Sequence, residues 1–429
     1  MRRRWTRPLL VTGLAGAVLL GAGVALTPWH TAPATPPAPA PASPLARLQA
    51  HLAAVPGDWQ GWAALGLAHV QLGRITFDPA HYPAAETALR RSREVRPDGN
   101  AAAMTGLGAL AAARHDFRAA LRYARSAVAV DAYSADAYGV LTDAYVELGR
   151  YDDATAAVQR MLDLRPDTAS FARASYLFEL RGDQDRAVEL MTRARESAGT
   201  PDEVTFTLTH LGELAFAAGD PDTAAARFAE GLAREPGQPA LLAGRAKVAA
   251  ARGDLAAAER DLRAVTDRLP MVEYLTALSD VQTAAGRTTD AARTDDLVRF
   301  TARLPGTGPA ATDVDLILFD ADRGDARTAV AKGRALLAAR PGVTVHGAYA
   351  WALHAAGDDR AALDHANRGL RLGTRDARAH YHRAIIRLAL HDRAGARADL
   401  TRALDLNPWF SPRYAPAARA LLTDLGGPA

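Results

Sequence analysis

A glycine followed by a polar residue recurs along this chain at nearly constant spacing, and this recurrence limits the possible folds more than any other feature. The glycines are Gly149, Gly182, Gly219, Gly253, Gly286, Gly324 and Gly357, separated by 33, 37, 34, 33, 38 and 33 residues. Internal periods of about 20 to 50 residues are typical of repeat arrays rather than of a single catalytic domain. We therefore predict that most of the chain is an array of units of roughly 34 residues.

Within each unit the residue pattern predicts two short helices. The glycine adopts the left-handed conformation that ends a first helix, and a small residue five positions later allows a second helix to pack closely against the first. A proline about 17 positions after the glycine ends the second helix, because the residue before a proline is disfavoured in helical geometry. One such hairpin cannot bury its own apolar face, so neighbouring units must stack into a solenoid. The small residues are Ala154, Ala187, Ala224, Ala258, Ala291, Ala329 and Ala362, and the prolines are Pro166, Pro236, Pro270 and Pro341.

The first unit resembles the tetratricopeptide repeat family. It reads Trp62-Ala-Ala-Leu65-Gly66-Leu-Ala-His69, which follows the family's W-x2-L-G-x2-Y with histidine at the last place. The resemblance implies an all-α fold, an α-solenoid of about ten helical hairpins over residues 45–410, with a capping helix and tail at 411–429. We expect residues 74–80 to lengthen the loop of the first unit and residues 303–313 to form a loop between the seventh and eighth. The further units are expected to begin near Ala101, Ala135, Thr168, Thr205, Pro239, Val272, Ala310, Val343 and Ala377.

The N-terminus has the layout of an export signal or a membrane anchor. Four arginines lie within the first seven residues, and residues 8–26 form an apolar run without a charge. The run is longer than a usual signal core and close to the length of about 20 residues that spans a bilayer. We expect residues 1–26 to be a signal anchor with the body outside the cytoplasm, and a cleaved signal peptide with a secreted body is the alternative. Residues 27–44 contain seven prolines and are predicted to be an extended linker.

Composition excludes several functional classes. The chain has no cysteine, so disulfides, cysteine-ligated zinc and thiol catalysis are excluded. Without the four N-terminal arginines, 47 basic residues face 48 acidic ones, and no basic surface for nucleic acid is expected. No catalytic triad, zinc-protease or phosphate-loop motif is present, so we predict no enzymatic activity and no cofactor.

A cluster of histidines near the C-terminus leaves one alternative open. None of these histidines is paired at the i, i+4 spacing that a helical metal site uses, so we predict no metal site. A metal-handling accessory role remains the alternative. The six histidines are His346, His354, His365, His380, His382 and His391.

The resemblance also implies that the first helix of each hairpin lines a concave groove. Carried onto this sequence, the inward positions are rich in acids and aromatic rings, with Lys247 and Arg378 as the opposing cations. The expected function is that of a membrane-tethered scaffold that binds a protein or an extended peptide with basic and apolar side chains. The predicted binding residues are Asp136, Asp143, Glu147, Tyr176, Glu179, Glu213, Phe216, Asp280 and Trp351.

Overall fold

The computed structural model describes residues 43–76, 78–303 and 313–426. Every described helix lies within Pro44–Ala429. The predicted anchor, nearly all of the predicted linker and residues 304–312 of the expected loop lie outside the described residues. Over the part that is described, no helix has both the length and the apolar character needed to cross a membrane.

The described residues form 22 helices and no strand, so the predicted all-α class is confirmed. The helices are α1 Pro44–Ala54, α2 Trp59–Thr76, α3 His81–Val95, α4 Ala101–Ala113, α5 Phe117–Val130, α6 Ala135–Glu147, α7 Tyr151–Leu164, α8 Thr168–Leu180, α9 Gln184–Ser197, α10 Pro201–Ala217, α11 Pro221–Arg234, α12 Pro239–Ala251, α13 Leu255–Thr266, α14 Val272–Ala284, α15 Thr288–Thr301, α16 Asp313–Asp322, α17 Ala326–Ala339, α18 Val343–Ala355, α19 Asp359–Gly369, α20 Ala377–Ala389, α21 Arg393–Leu406 and α22 Tyr414–Asp424.

Helices α2 to α21 pair into ten consecutive hairpins, which we number units 1 to 10. Neighbouring units pack against one another along the array, as expected for a solenoid in which one hairpin cannot bury its apolar face alone. Helix α1 packs on unit 1 and α22 packs on unit 10, so each end of the stack carries one further helix.

The start of α10 and the end of α2 differ from the sequence expectation. Helix α10 begins at Pro201, four residues before the expected Thr205, because Thr200 and Glu203 form a reciprocal capping box on either side of the proline. Helix α2 continues through Thr76, so the first residues of the 74–80 insertion extend a helix instead of forming a loop.

The turns inside units 2 to 10 have the predicted left-handed backbone geometry. The seven glycines of units 3 to 9 have φ values between 69° and 87°. In units 2 and 10 the same place is taken by His115 and His391, with φ values of 56° and 62°. Where the next residue is aspartate, as at Asp116 and Asp183, its side chain accepts a hydrogen bond from a backbone N–H in the first turn of the second helix. The recurring turn thus ends one helix and caps the next.

The small residues five positions after the turn glycines form the tightest packing. Six of the seven alanines are fully buried and Ala291 is 6% exposed.

Unit 7 contains Asp295 where the resemblance implies an apolar residue. This carboxylate is buried, accepting hydrogen bonds from the Ser279 hydroxyl at 2.6 Å and from the Arg323 guanidinium at 2.8 Å. A buried charge is tolerated here because it is paired and hydrogen-bonded.

The array curls until units about six apart in sequence touch. The turns of units 3, 4 and 5 contact the segments that precede α18, α20 and α22, and we name these the inter-turn contacts. Each includes one hydrogen bond: Val343 N–H to the Tyr151 hydroxyl oxygen at 2.8 Å, the Thr374 hydroxyl to Leu180 O at 2.6 Å, and Asn407 Nδ2 to Phe216 O at 2.8 Å.

A candidate binding surface in the solenoid lumen

The curled array encloses a cavity of about 1050 Å³, which we name the lumen. Its wall is formed mainly by the first helices α8, α10, α12, α14, α16 and α20, together with the segment 407–419 that follows unit 10. Leu180, Phe216, Thr374 and Asn407 belong both to this wall and to the inter-turn contacts. The contacts between successive turns therefore complete the wall.

The structure brings five of the nine predicted binding residues together in the lumen wall and places four elsewhere. The five are Tyr176, Glu179, Glu213, Phe216 and Asp280. The four are Asp136, Asp143, Glu147 and Trp351.

Most of the predicted acids are neutralised by cations of the protein itself. Four pairs have closest N–O distances of 2.7 to 3.0 Å, and Asp136 forms a fifth pair with Arg165. The negative charge that the sequence places on the concave side is thus largely compensated within the fold. The four measured pairs are Asp143–Arg173, Glu147–Arg340, Glu213–Lys247 and Asp280–Arg323.

Glu179 is the predicted acid that keeps an uncompensated carboxyl group. It is half-buried in the wall, and its side chain has no hydrogen-bond or ion-pair partner among the described residues. Burial raises the pKa of Glu179 to about 7, and the nearby Glu213 and Asp376 carboxylates act in the same direction. A cationic group placed beside Glu179 would favour its charged form, so this position suits an ammonium or guanidinium group.

A second set of charged side chains in the lumen contains both acidic and basic groups. The carboxyl groups of Glu273 and Asp315 and the guanidinium of Arg378 line the cavity, and none of them forms an ion pair among the described residues. Desolvation by the surrounding wall raises the pKa of both carboxyls. The nearby cations Lys247 and Arg378 act in the opposite direction and lower it. The Glu273 side chain remains in contact with water. These three groups are available to a ligand.

Aromatic rings supply apolar surface beside the charges. Tyr176 is 42% exposed and Trp409 is 37% exposed, while Phe216 is half-buried. Trp351, in contrast, is packed inside the array. Its ring stacks on His382 at 4.0 Å between centroids, and its Nε1–H donates to the Asp322 carboxylate at 2.7 Å. Trp351 thus packs against the lining residue His382 and does not itself line the lumen.

Some lumen residues were not anticipated from the sequence. Asp315 follows closely after the expected 303–313 loop. Trp409 lies at the end of the expected array and Tyr414 in the segment interpreted as a capping helix, yet both line the cavity. The aromatic residues at 409, 410 and 414 were the available signal, because a purely solvating end has little use for three rings.

The clustered histidines lie in different environments. The ring Nδ1 atoms of His346 and His365 are 2.9 Å apart, and His354 Nδ1 lies 2.5 Å from the Asp359 carboxylate. Burial lowers the pKa of His346 to about 4, with a smaller contribution from His365. No group of three or more histidine or acidic side chains in the described ranges is arranged to hold a metal ion.

Ten stacked helical hairpins around a concave lumen define the class of the protein as an α-solenoid repeat scaffold. The family model described as "Tetratricopeptide repeat" matches residues 111–175 and 215–281. These two segments are therefore tetratricopeptide repeats, and the fold is of the protein-interaction type. No curated protein matches the chain.

Several solved structures are similar to parts of the array. A thermophilic tetratricopeptide repeat protein from Thermus thermophilus is 22% identical over 43% of this chain and 98% of its own, with a TM-score of 0.38. PilF from Pseudomonas aeruginosa is 16% identical over 49% of this chain and 96% of its own, with a TM-score of 0.41. The type IV pilus biogenesis factor PilW is 16% identical over 48% of this chain and 96% of its own, with a TM-score of 0.42.

Proposed function

We propose that this protein is a non-enzymatic scaffold that binds a segment of another protein in its lumen. One observation supports this most strongly: exposed rings and unpaired carboxylates share one concave wall. Tyr176 and Trp409 present ring surface to the cavity, and Glu179, Glu273 and Asp315 present carboxyl groups without an internal partner among the described residues. A concave surface that combines apolar rings with a few oriented polar groups is characteristic of binding sites.

The rings and the charges have different roles in this proposal. Aromatic side chains in well-enclosed positions supply most of the affinity at protein interfaces. Charges in contact with water are screened over about 8 Å at physiological salt, so they act mainly on the rate of association and on the choice of partner. The proposed ligand therefore combines apolar side chains with arginine or lysine.

One arrangement that covalent catalysis uses is not found among the described residues of the wall. Nucleophilic catalysis needs a hydroxyl or thiol within hydrogen-bond reach of a base. No serine or threonine among the described lining residues is hydrogen-bonded to a histidine, and Ser411 accepts hydrogen bonds from backbone N–H groups instead.

The proposed location is the outer face of a membrane, with residues 1–26 as anchor and residues 27–44 as spacer. It rests on the N-terminal arginines and the apolar run. The test is to add a protease to intact cells that produce the full chain. Two results together support the proposal: the added protease digests the body, and in untreated cells the intact protein is recovered in the membrane fraction. Protection of the body contradicts it, and a mature protein that begins after residue 26 indicates secretion.

The binding proposal is tested with an array of synthetic 12-residue peptides of random sequence, probed with the full chain. We expect the bound peptides to be enriched in arginine or lysine together with aliphatic or aromatic residues. Replacing Tyr176 and Phe216 by alanine should weaken binding roughly tenfold or more, mainly through faster dissociation.

The matched control is Tyr133→Ala, because Tyr133 is 77% exposed and does not line the lumen. This variant should bind the selected peptides as the parent does. If Tyr133→Ala and the Tyr176/Phe216 double variant have the same affinity as the parent, the lumen is not the binding site.

A further inference from the structure

A small apolar pocket opens off the lumen between units 8, 9 and 10. Its volume is about 90 Å³, and we name it the side pocket. It shares Leu318, Thr374, Arg378 and His382 with the lumen wall, so the two cavities adjoin. Its remaining surface is mainly aliphatic and includes two glycines, Gly347 and Gly369.

The side pocket exists because two local features leave space. A Cβ atom added at Gly347 would meet no other atom within 4 Å, so the missing side chain opens directly into free volume. A Cβ at Gly369 would lie 3.1 Å from Gly347 N, which shows that α18 and α19 approach closely behind this space. Leu180 lines one side, held there by its inter-turn hydrogen bond from Thr374.

One buried polar atom at the side pocket has no partner. His382 is 6% exposed and lines both cavities, and its Nε2 forms no hydrogen bond among the described residues. Its ring is held in place by stacking on Trp351. Burial lowers the pKa of His382 well below its usual value, so the imidazole is neutral and offers one donor and one acceptor nitrogen. Buried polar atoms normally have partners, and a backbone group of a bound segment would supply one.

Charged groups surround the opening of the side pocket. Arg378 lines both cavities and forms no ion pair among the described residues, so its N–H groups are free to donate. Asp376 also lines both cavities and lies close enough to Glu179 to raise the pKa of that carboxyl group. The opening therefore offers the guanidinium donors of Arg378 together with carboxyl groups that form no ion pair among the described residues.

We infer that the side pocket receives one branched aliphatic side chain of the segment bound in the lumen, next to a basic residue that faces Glu179 and Asp376. Arg378 would donate to a backbone carbonyl of the same segment. A dry apolar cavity of about 150 Å³ accommodates benzene, so the smaller side pocket suits a group of three or four carbons such as that of leucine, isoleucine or valine. This inference rests on the proposed function and specifies part of its ligand.

The first test uses three fluorescein-labelled 12-residue peptides of glycine and serine that carry an arginine followed by leucine, alanine or tryptophan. Their affinity for the full chain is measured by fluorescence polarisation. We expect the leucine peptide to bind about 10- to 100-fold more tightly than the alanine peptide, because three further carbons are buried. The tryptophan peptide should bind more weakly than the leucine peptide, because its ring exceeds the space.

The second test fills the side pocket from the protein side. Gly347→Leu should abolish the preference for leucine over alanine, and Gly347→Ala should reduce it. The matched control is Gly57→Leu, since an added Cβ at Gly57 also meets nothing within 4 Å and lies outside both cavities. Thermal melting of each variant checks that the fold is retained.

The outcomes separate the two proposals. Equal affinity of the leucine and alanine peptides for the parent, or an unchanged leucine preference in Gly347→Leu, overturns the side-pocket inference and leaves lumen binding intact. Binding of array peptides without binding of any of the three defined peptides also overturns the inference. Failure of both the array and the defined peptides removes the proposed function, and the side-pocket inference with it.

Discussion

The hydroxyl oxygen of Tyr151 accepts a 2.8 Å hydrogen bond from the backbone N–H of Val343, 192 residues further along the chain. Tyr151 begins the second helix of unit 3, and Val343 begins the first helix of unit 9. The bond satisfies a helix N-terminal donor that has no partner within its own helix. Together with the two other inter-turn contacts, it joins successive turns of the solenoid.

Tyr151→Phe should destabilise this contact. The Val343 N–H would lose its acceptor at a buried position, at a cost of about 1–3 kcal/mol. The expected result is a lower midpoint of urea unfolding and faster hydrogen exchange at the Val343 amide. Tyr133→Phe is the control, because Tyr133 is 77% exposed and should show no change. Unchanged exchange at Val343 in Tyr151→Phe would contradict the role of this contact.

Two glycine substitutions separate backbone strain from inter-turn packing. Gly182 and Gly253 have φ values of 73° and 82°, so alanine should cost about 1–2 kcal/mol at either position. A Cβ at Gly182 would lie 2.2 Å from Gly373 O, whereas a Cβ at Gly253 meets nothing within 4 Å. Gly182→Ala should therefore cost about 1–3 kcal/mol more, in the range of overpacking.

The same pair of variants should differ in solution shape. Small-angle X-ray scattering should show a larger radius of gyration for Gly182→Ala, because the turns separate, and no change for Gly253→Ala. Equal stability and equal dimensions of the two variants would mean that the turns of the solenoid do not touch.

Glu179 should make the protein less stable as the pH rises. Its folded pKa, raised to about 7 by burial and by Glu213 and Asp376, lies above the unfolded value. Between about pH 4.5 and pH 7 the unfolded state loses this proton first, so the free energy of unfolding falls over that window and then levels off. Glu179→Gln should therefore match the parent near pH 4 and be more stable than the parent at pH 8.

The measurement is urea unfolding of parent and variant at both pH values. Asp185→Asn serves as the control, because Asp185 is an exposed acid outside the lumen. A stability difference between parent and Glu179→Gln that does not depend on pH would contradict the raised pKa.

Close helix packing at the small-residue positions gives a further prediction. Ala224 is fully buried, and Ala224→Leu should destabilise the protein by about 1–3 kcal/mol through overpacking. Ala226→Leu, two residues later on the exposed side of the same helix, should have little effect. Comparable unfolding midpoints for the two variants would contradict the predicted role of the recurring alanines.

The local rules of this fold could be predicted from the sequence because each of them acts within one unit. Left-handed glycines, buried alanines and the helix starts at Ala135 and Thr168 follow from short-range geometry, and the structure has them at those positions. The early start of α10 was missed because the capping box of Thr200 and Glu203 was not recognised.

The electrostatics of the candidate site could be predicted less well, because they depend on contacts between units. Asp143 pairs with Arg173 one unit later, and Glu147 pairs with Arg340, 193 residues away. The contact between Glu147 and Arg340 depends on small rotations between successive units, which add up over six units. No local sequence pattern determines the total rotation. Sequence reasoning therefore identified inward acids such as Glu179 but could not identify which acids would find a cation.

Site-specific photocrosslinking tests the central claim, that partners bind in the lumen, most directly. The photoreactive residue p-benzoylphenylalanine would replace Phe216 in the lumen wall or Tyr133 outside it, and each protein would be irradiated with the labelled peptide that carries arginine followed by leucine. The account predicts a crosslink from position 216 that excess unlabelled peptide abolishes, and none from position 133. A crosslink from position 133 with none from position 216 would contradict it.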